Sequence, residues 1–269
     1  RGICGLPLAT YSNGSPFKIW PHDLPQICAV SPSFCPQPKD WPAQKLMGGW
    51  WFLTKGNEYK PSQELIEFLQ HKPVYIGFGS MKGNPEFCQV LSTLAIKSLK
   101  ICGVKGVLLG GWAGLTRETI NTSTDEGKCL YAWAEKNVLE IDSCPHDWLF
   151  HQCAAVVHHG GAGTLAAGIR AGCPTIVCAM QGDQPFHGSL VKSQGFGRYM
   201  GMVGSPKLTA ESIAKGIEKV TTDQAIISAA QAIGKQVKSE DGLANAINFI
   251  DKMATTFSYP WPIESEADA

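Results

Sequence analysis

The sequence has no excess of charge of either sign. Lysine and arginine together number 23, aspartate and glutamate also number 23, and charged residues make up only 17% of the chain. A protein that binds nucleic acid needs a basic excess or a basic stripe, so we do not expect nucleic acid as a partner. The sequence also lacks any apolar run approaching the roughly 20 residues of a membrane-spanning helix.

Paired cysteine motifs are absent as well. None of the ten cysteines forms a C-x-x-C pair, and several lie inside apolar runs such as 175–179. Disulfide frameworks are typical of small secreted domains, whereas scattered thiols in a core suit a reducing compartment, so we expect a cytoplasmic protein. The sequence begins with Arg1 and shows no signal peptide, which suggests a fragment or a processed product.

What the chain does have is 44% hydrophobic residues over 269 positions, enough for one large domain with or without an appendage. Residues 1–72 are rich in proline and aromatic residues and are predicted to be mostly irregular, and 257–269 form an irregular acidic tail. Between them, short apolar runs predict strands at 74–78, 107–109, 138–141, 154–158, 175–180 and 197–202. Helical spacing predicts helices at 62–70, 85–100, 145–151, 164–171, 184–194, 210–220 and 223–239.

This alternation predicts an α/β domain over 73–256, a Rossmann-like parallel sheet with helices on both faces. Ligands of such sheets bind beyond the carboxyl ends of the strands. The fourth predicted strand ends at His158 and His159, and glycines follow at 160, 161 and 163. Glycines let the backbone approach a ligand, and the amides and dipole at the start of the next helix, predicted to begin at Thr164, bind phosphate oxygens. His159 adds a hydrogen-bond donor, so the turn predicts a phosphate site; the alternative is a tight turn with no ligand.

Two other interpretations of this region stay open. Residues 161–166 fit the G-x-G-x-x-A dinucleotide pattern, and Asp183 follows at about the spacing of a ribose-binding acid, which would indicate an NAD-dependent oxidoreductase. Against this, the histidine pair has no role in that scheme, and Gln184 beside Asp183 suits the hydroxyls of a sugar. Cysteines and histidines also crowd 144–159, but their spacing matches no zinc template, so we predict no metal site. We expect the His158 side chain to point opposite to that of His159, because they are consecutive at a strand end.

Several segments closely resemble the sterol glucosyltransferases, which are UDP-glycosyltransferases of the GT-B fold. The strongest likeness is to the donor signature of that family, at 144–150 and 154–164. Further matching segments, in chain order from about residue 30 to 220, are 38–41, 77–81, 111–115, 171–174 and 182–186. The resemblance implies that this chain is the C-terminal, donor-binding half of the fold, with 1–72 as linker and remnant of the acceptor domain.

The resemblance also implies an activity and a set of contacts. Glucose would pass from UDP-glucose to a sterol or related lipid hydroxyl with inversion, without cofactor or metal, because the helix dipole and a histidine stabilise the leaving diphosphate. The implied donor contacts are His159, Gly161, Ala162, Gly163, Thr164 and Ser80 for the diphosphate, Ser143, Cys144, His146 and Trp112 around the uracil, and Asp183 and Gln184 for the glucose.

The chain departs from the family pattern near the sugar end. The family has an aromatic-rich run before Gly-Asp-Gln and a tryptophan after Pro-Phe, whereas this chain has 179–181 as Ala-Met-Gln and His187 after Phe186. We therefore expect a different acceptor-facing wall. The family's catalytic base lies in the first half of the fold, so none is predicted here, and a non-catalytic UDP-sugar-binding module is a further alternative. A lipid acceptor leaves open a peripheral membrane contact, through 50–52 for example, although we favour packing of these aromatics against the missing first half of the fold.

Overall fold

The computed structural model describes residues 24–53, 58–79 and 84–257, without the side chain of Trp112. In chain order the strands are β1 Gln26–Cys28, β2 Lys45–Met47, β3 Val74–Gly77, β4 Gly106–Leu109, β5 Val138–Ile141, β6 Ala155–His158, β7 Thr175–Ala179 and β8 Gly197–Met202. The helices are α1 Gln63–Leu69, α2 Pro85–Cys102, α3 Asp125–Asn137, α4 His146–Leu149, α5 Ala162–Ala171, α6 Gln184–Ser193, α7 Ala210–Thr222, α8 Gln224–Ser239 and α9 Gly242–Thr256. None of these helices is both long and apolar enough to cross a bilayer.

The chain divides into two compact units, one formed by Arg1–Trp51 with Asp241–Ala269 and the other by Phe52–Glu240. The larger unit contains a sheet of six parallel strands in the order β5-β4-β3-β6-β7-β8. Strands β3, β4, β6 and β7 are buried along their whole length, as expected when helices cover both faces of a parallel sheet. The predicted α/β class and parallel sheet are confirmed.

The two faces of the sheet pack against different helices. On one face, Val74 and Ile76 of β3 share a core with residues of α2, α3 and α7. On the other face, Tyr75 of β3 shares a core with residues of α1, with Leu149 of α4 and with partly buried alanines of α5. This alternation follows from the two-residue period of a strand, and it is why the strands appear in the sequence as continuous apolar runs.

The order of the strands defines where a ligand can enter. The chain runs outward from β3 through β4 to β5, then returns to pair β6 with the free side of β3, and continues through β7 to β8. The loops after β3 and β6 therefore leave the sheet in opposite directions, and the gap between them is the usual ligand crevice of an open α/β sheet. Gly79 follows β3 at this gap, and His159 follows β6.

The smaller unit contains regular structure that the sequence did not predict. Strands β1 and β2 pair in parallel in a stretch interpreted as irregular, and α9 was also missed. Phe34 and Trp50 are buried and stack with ring centroids 5.5 Å apart, so Trp50 packs within this unit and is not available to pack against the missing first half of the fold. Trp51 is exposed, and its indole Nε1 donates to the Gly242 carbonyl at 3.1 Å.

Candidate functional site

The turn after β6 forms the centre of the candidate site. Helix α5 begins at Ala162 and not at Thr164 as predicted, and its N-cap, Gly161, offers no side chain to the helix. The first amides of a helix have no partner within it, so those of Ala162, Gly163 and Thr164 are available to a ligand. Ala162 and Gly163 are exposed, and Thr164 is half-buried. The earlier start places three of the four predicted phosphate-binding amides in the first turn, with Gly161 at the N-cap, where the helix dipole also favours an anion.

His159 lies against this helix start. A Cβ added to Gly161 would be 2.3 Å from the imidazole Nε2, and one added to Gly79 would be 3.0 Å from Cε1. The imidazole therefore lies in a slot that two glycines leave open, one from each side of the crevice. Nδ1 is buried and makes no hydrogen bond within the described residues. Burial lowers the pKa of His159, which favours the neutral ring, and the charge of Asp183 opposes that shift.

Gly160 connects the strand to this turn in a conformation that favours glycine. Its φ is +91°, and a Cβ would lie 2.7 Å from Cγ1 of Val177 in β7. The buried ring of His158 accepts a hydrogen bond from the Gly160 amide through Nδ1 at 2.9 Å. The rings of His158 and His159 are nearly perpendicular, with an interplanar angle of 83° and centroids 6.2 Å apart. Neighbouring histidines in sequence thus have different surroundings, one entirely inside the protein and one beside the crevice.

The start of α6 places Asp183 and Gln184 in different environments. Gln184 is buried, and its Oε1 accepts from the amides of Met180 and Gln181 at 2.7 and 3.0 Å. That oxygen therefore shapes the loop between β7 and α6. The Asp183 side chain is 65% exposed, and one of its oxygens lies 3.8 Å from Nε2 of His187. Of the two residues predicted to bind glucose, Asp183 has its charged group exposed at the edge of the sheet.

The segment after β5 turns most of its side chains inward. Ser143 is exposed, but Cys144 is buried. Cys144 shares a hydrogen bond with Tyr59, and burial together with this bond raises the pKa of Tyr59 to about 12. His146 stacks on Phe150 with centroids 4.5 Å apart, and its Nε2 is 3.2 Å from the Tyr75 hydroxyl. The side chains of Cys144 and His146 therefore support the fold of this segment.

Two of the predicted contacts cannot be placed. Ser80 lies outside the described residues, and so does the side chain of Trp112, whose backbone forms a short turn at Gly111–Ala113 after β4. The described residues contain no group of three or more His, Cys, Asp or Glu side chains arranged to hold a metal ion.

Sequence reasoning noted His187 only as a departure from the family. In the structure it is buried, and its Nδ1 lies 2.8 Å from the Gly160 carbonyl. The signal that could have found it is its spacing: residues four apart on a helix share a face, so His187 belongs with Asp183 at the N-terminus of α6.

The parallel sheet and its covering helices are shared with solved structures of glycosyltransferases. The glycotransferase of kitacinnamycin matches with a TM-score of 0.62 at 15% identity, over 84% of this chain and 54% of that one. SnogD from Streptomyces nogalater matches with a TM-score of 0.57 at 19% identity, over 85% and 55% of the two chains. UGT71G1 of Medicago truncatula, solved with UDP-glucose, matches with a TM-score of 0.54 at 18% identity, over 73% and 45%.

The chain belongs to the family of the erythromycin biosynthesis protein CIII-like C-terminal domain, whose profile matches residues 107–248. Among curated proteins it is similar to the sterol 3-beta-glucosyltransferase of Emericella nidulans, at 34% identity over 87% of this chain and 16% of that protein. It is also 36% identical to sterol 3-beta-glucosyltransferase UGT80A2 of Arabidopsis thaliana, over 84% of this chain and 33% of that protein. The resemblance to sterol glucosyltransferases is confirmed, the oxidoreductase alternative is not favoured, and the chain spans a third or less of these two relatives.

Proposed function

We propose that this chain binds the donor of a UDP-dependent glycosyltransferase that transfers glucose from UDP-glucose to a sterol or related lipid hydroxyl with inversion. The observation that supports the proposal most strongly is the uncapped start of α5 beside His159, at the gap between β3 and β6. Exposed helix amides, an imidazole nitrogen that has no hydrogen bond among the described residues, and a glycine-lined approach together suit a diphosphate. The sterol 3-beta-glucosyltransferases that the chain resembles supply the identity of sugar and acceptor.

In this proposal the diphosphate binds the amides of Gly161, Ala162, Gly163 and Thr164, with His159 beside it. As the glycosidic bond to UDP breaks, its electron pair passes to the diphosphate, and the helix start stabilises the growing negative charge. This role is one that a metal ion fills in other enzymes, so we propose binding and leaving-group stabilisation without a metal or cofactor.

The exposed carboxylate of Asp183 is proposed to accept hydrogen bonds from glucose hydroxyls. Ser143 and the backbone of the segment after β5 are proposed to line the uracil pocket, with Cys144 and His146 holding that segment in shape through the contacts described above. Gln184 is proposed to contribute to the sugar site chiefly by fixing the loop before α6, since its Oε1 already accepts two backbone amides.

The acceptor side of the reaction is proposed from the relatives. An inverting displacement needs a base that takes the proton of the acceptor hydroxyl as its oxygen attacks the sugar, and we assign that base to no residue of this chain. A lipid acceptor is reached at a membrane surface, so we propose that this is a cytoplasmic protein that contacts membranes peripherally. The cysteines in the described residues are free thiols, which suits a reducing compartment.

The direct test is a calorimetric titration with UDP-glucose in EDTA, with NAD as control ligand and circular dichroism to show that each protein is folded. We expect saturable UDP-glucose binding, no NAD binding, and an affinity about ten- to a hundredfold lower in His159→Ala, the range for losing one charge-assisted hydrogen bond. NAD binding without UDP-glucose binding would contradict the proposal, as would a folded chain that binds neither.

A second titration separates the two ends of the donor. Asp183→Asn is expected to weaken UDP-glucose about tenfold and to leave UDP binding unchanged, because UDP carries no glucose. Equal losses for both ligands would show that Asp183 does not contact the sugar. Binding of UDP-glucose without glucosyl transfer to a sterol, in a chain extended to the length of its relatives, would favour the alternative of a non-catalytic binding module.

A further inference from the structure

Two buried histidines contact the backbone of the same residue, Gly160, in the proposed phosphate turn. His158, at the end of β6, accepts a hydrogen bond from the Gly160 amide through Nδ1 at 2.9 Å. His187, in the first turns of α6, has Nδ1 2.8 Å from the Gly160 carbonyl oxygen. The amide and the carbonyl of one glycine are thus each bonded to a histidine from a different element, and we call this arrangement the Gly160 clamp.

The chemistry of the partners assigns the protons. A carbonyl oxygen can only accept, so Nδ1 of His187 must bear a hydrogen; a backbone amide can only donate, so Nδ1 of His158 must be bare. The Nδ1 nitrogen is therefore protonated in His187 and unprotonated in His158. Both histidines are at least nine-tenths buried, and exchanging either assignment would leave two donors or two acceptors facing each other without water, which is costly.

The far side of the His187 ring faces the proposed sugar site. Its Nε2 lies 3.8 Å from a carboxylate oxygen of Asp183, four residues earlier in the chain. One ring therefore spans from the phosphate turn at Gly160 to the carboxylate proposed to bind glucose. Val177 and Gln184 lie 2.7 Å and 3.4–3.5 Å from the position of an added Cβ at Gly160, so the turn is closely packed on that side.

We propose that His187 is a positioning residue of the donor site. It holds the phosphate turn by donating from Nδ1 to the Gly160 carbonyl and, with Nε2 protonated as well, holds the sugar-binding carboxylate of Asp183 by charge attraction across 3.8 Å. The inference rests on the proposed function and deepens it, because it names the group that keeps the two ends of the UDP-sugar site at one spacing. A catalytic site depends on such preorganisation to within fractions of an ångström. The competing explanation is that His187 only fills space in the core, in which case another ring of similar size would serve equally.

Two substitutions distinguish these explanations. His187→Asn keeps an N–H donor close to the position of Nδ1 but removes the nitrogen that faces Asp183. His187→Phe keeps the volume of the ring and removes both polar contacts. His71→Asn is the matched control, since His71 is exposed and lies in the turn between α1 and β3, at the amino end of that strand, whereas the site lies at the carboxyl ends.

For each variant we would measure the affinity for UDP and for UDP-glucose by calorimetry and the melting temperature by circular dichroism. His187→Asn is expected to bind UDP within about twofold of the unchanged protein and UDP-glucose about tenfold more weakly. His187→Phe is expected to bind both ligands at least about tenfold more weakly, and His71→Asn to match the unchanged protein. Unchanged affinity for both ligands in His187→Phe would overturn the inference, even if its melting temperature fell.

A double substitution tests whether His187 acts through Asp183. If it does, adding His187→Asn to Asp183→Asn causes no further loss of UDP-glucose affinity, because the carboxylate that the ring positions is already gone. Full additivity of the two losses would contradict the proposed route.

The clamp can be examined without any ligand, which separates failure of this inference from failure of the proposed function. Long-range ¹H–¹⁵N NMR spectra report which imidazole nitrogen bears a proton. We expect a protonated Nδ1 in His187 and a bare Nδ1 in His158. If the unchanged chain binds neither UDP nor UDP-glucose, the proposed function fails and the positioning role fails with it, whereas a bare Nδ1 in His187 of a chain that does bind UDP-glucose overturns the clamp alone.

Discussion

Replacing Gly163 with alanine should make the protein more stable and its donor binding weaker. Gly163 lies in the first turn of α5 and is exposed. A Cβ at this position would meet no other heavy atom within 4 Å. Nothing in the folded chain therefore opposes the methyl group, and alanine is favoured over glycine in a helix by about 0.5–1 kcal/mol. For a chain of this size that corresponds to a melting temperature higher by about 1–4 °C.

The same methyl group would occupy the space in which we place the diphosphate. Pushing a phosphate oxygen away from the Gly163 amide removes one charge-assisted hydrogen bond, worth about 1.5–3 kcal/mol. The dissociation constant for UDP-glucose should rise by about ten- to a hundredfold. Stability and binding then change in opposite directions, which a general disturbance of the fold cannot produce.

The assay is thermal unfolding followed by circular dichroism, together with calorimetric titration of UDP-glucose. Ala162→Gly is the matched control, because it removes a methyl group from the neighbouring exposed position. We expect this control to lower stability by up to about 1 kcal/mol and to retain full affinity. A Gly163→Ala protein that is more stable and binds UDP-glucose as tightly as before would refute the placement of the diphosphate at this helix start.

Two further predictions concern stability. Gly160→Ala forces a residue with a side chain into a φ of +91° and places its Cβ 2.7 Å from Val177. We expect its free energy of unfolding, measured in urea, to fall by about 2–5 kcal/mol. The control is Gly195→Ala, with φ +75° and open space around it, for which we expect a fall of only about 1–2 kcal/mol. Complete burial lowers the pKa of His158 well below its ordinary value, so the unfolded chain binds a proton that the folded chain does not. Stability is then full above about pH 6.5 and falls by up to about 1.4 kcal/mol per pH unit below it. His158→Asn, which keeps an acceptor for the Gly160 amide, should show a shallower fall between pH 7 and pH 5.5, and an unchanged slope would contradict the assignment.

Elements with strong apolar patterns could be predicted from the sequence. The runs that became β3, β4, β6 and β7 are short, apolar and bounded by glycine or polar residues, and every one is a buried strand. Helix α1 was predicted with its cap, and the Ser62 hydroxyl accepts from the Leu65 amide as expected. Local chemistry is sufficient for these elements, because burial on both faces demands apolar residues throughout a strand, and a cap needs only its own helix.

Helices whose apolar residues are few, or are divided between the buried and the exposed side, could not be predicted. Only one large apolar residue of α3, Leu130, is buried, beside Gly127 and Ala134, so its amphipathic pattern is faint. In α9 the buried residues include Gly242 and Ala246, whereas three large aliphatic residues are exposed: Leu243, Ile247 and Ile250. Which side of such a helix packs inward is decided by close approach of backbones and not by the size of the side chains.

The sequence by itself determined the class of fold and the family, and it indicated the turn at which we propose that a phosphate group binds, because each depends on residues that are close together along the chain. The tertiary structure decided which polar groups of that turn remain available. It turned the Gln184 oxygen and the His146 ring toward protein partners, left Asp183 exposed, and brought His158 and His187 to opposite sides of Gly160. Two of these contacts join residues that are distant in the chain, His187 with Gly160 across 27 positions and His146 with Tyr75 across 71, and a hydrogen bond over such a separation has no counterpart in local sequence.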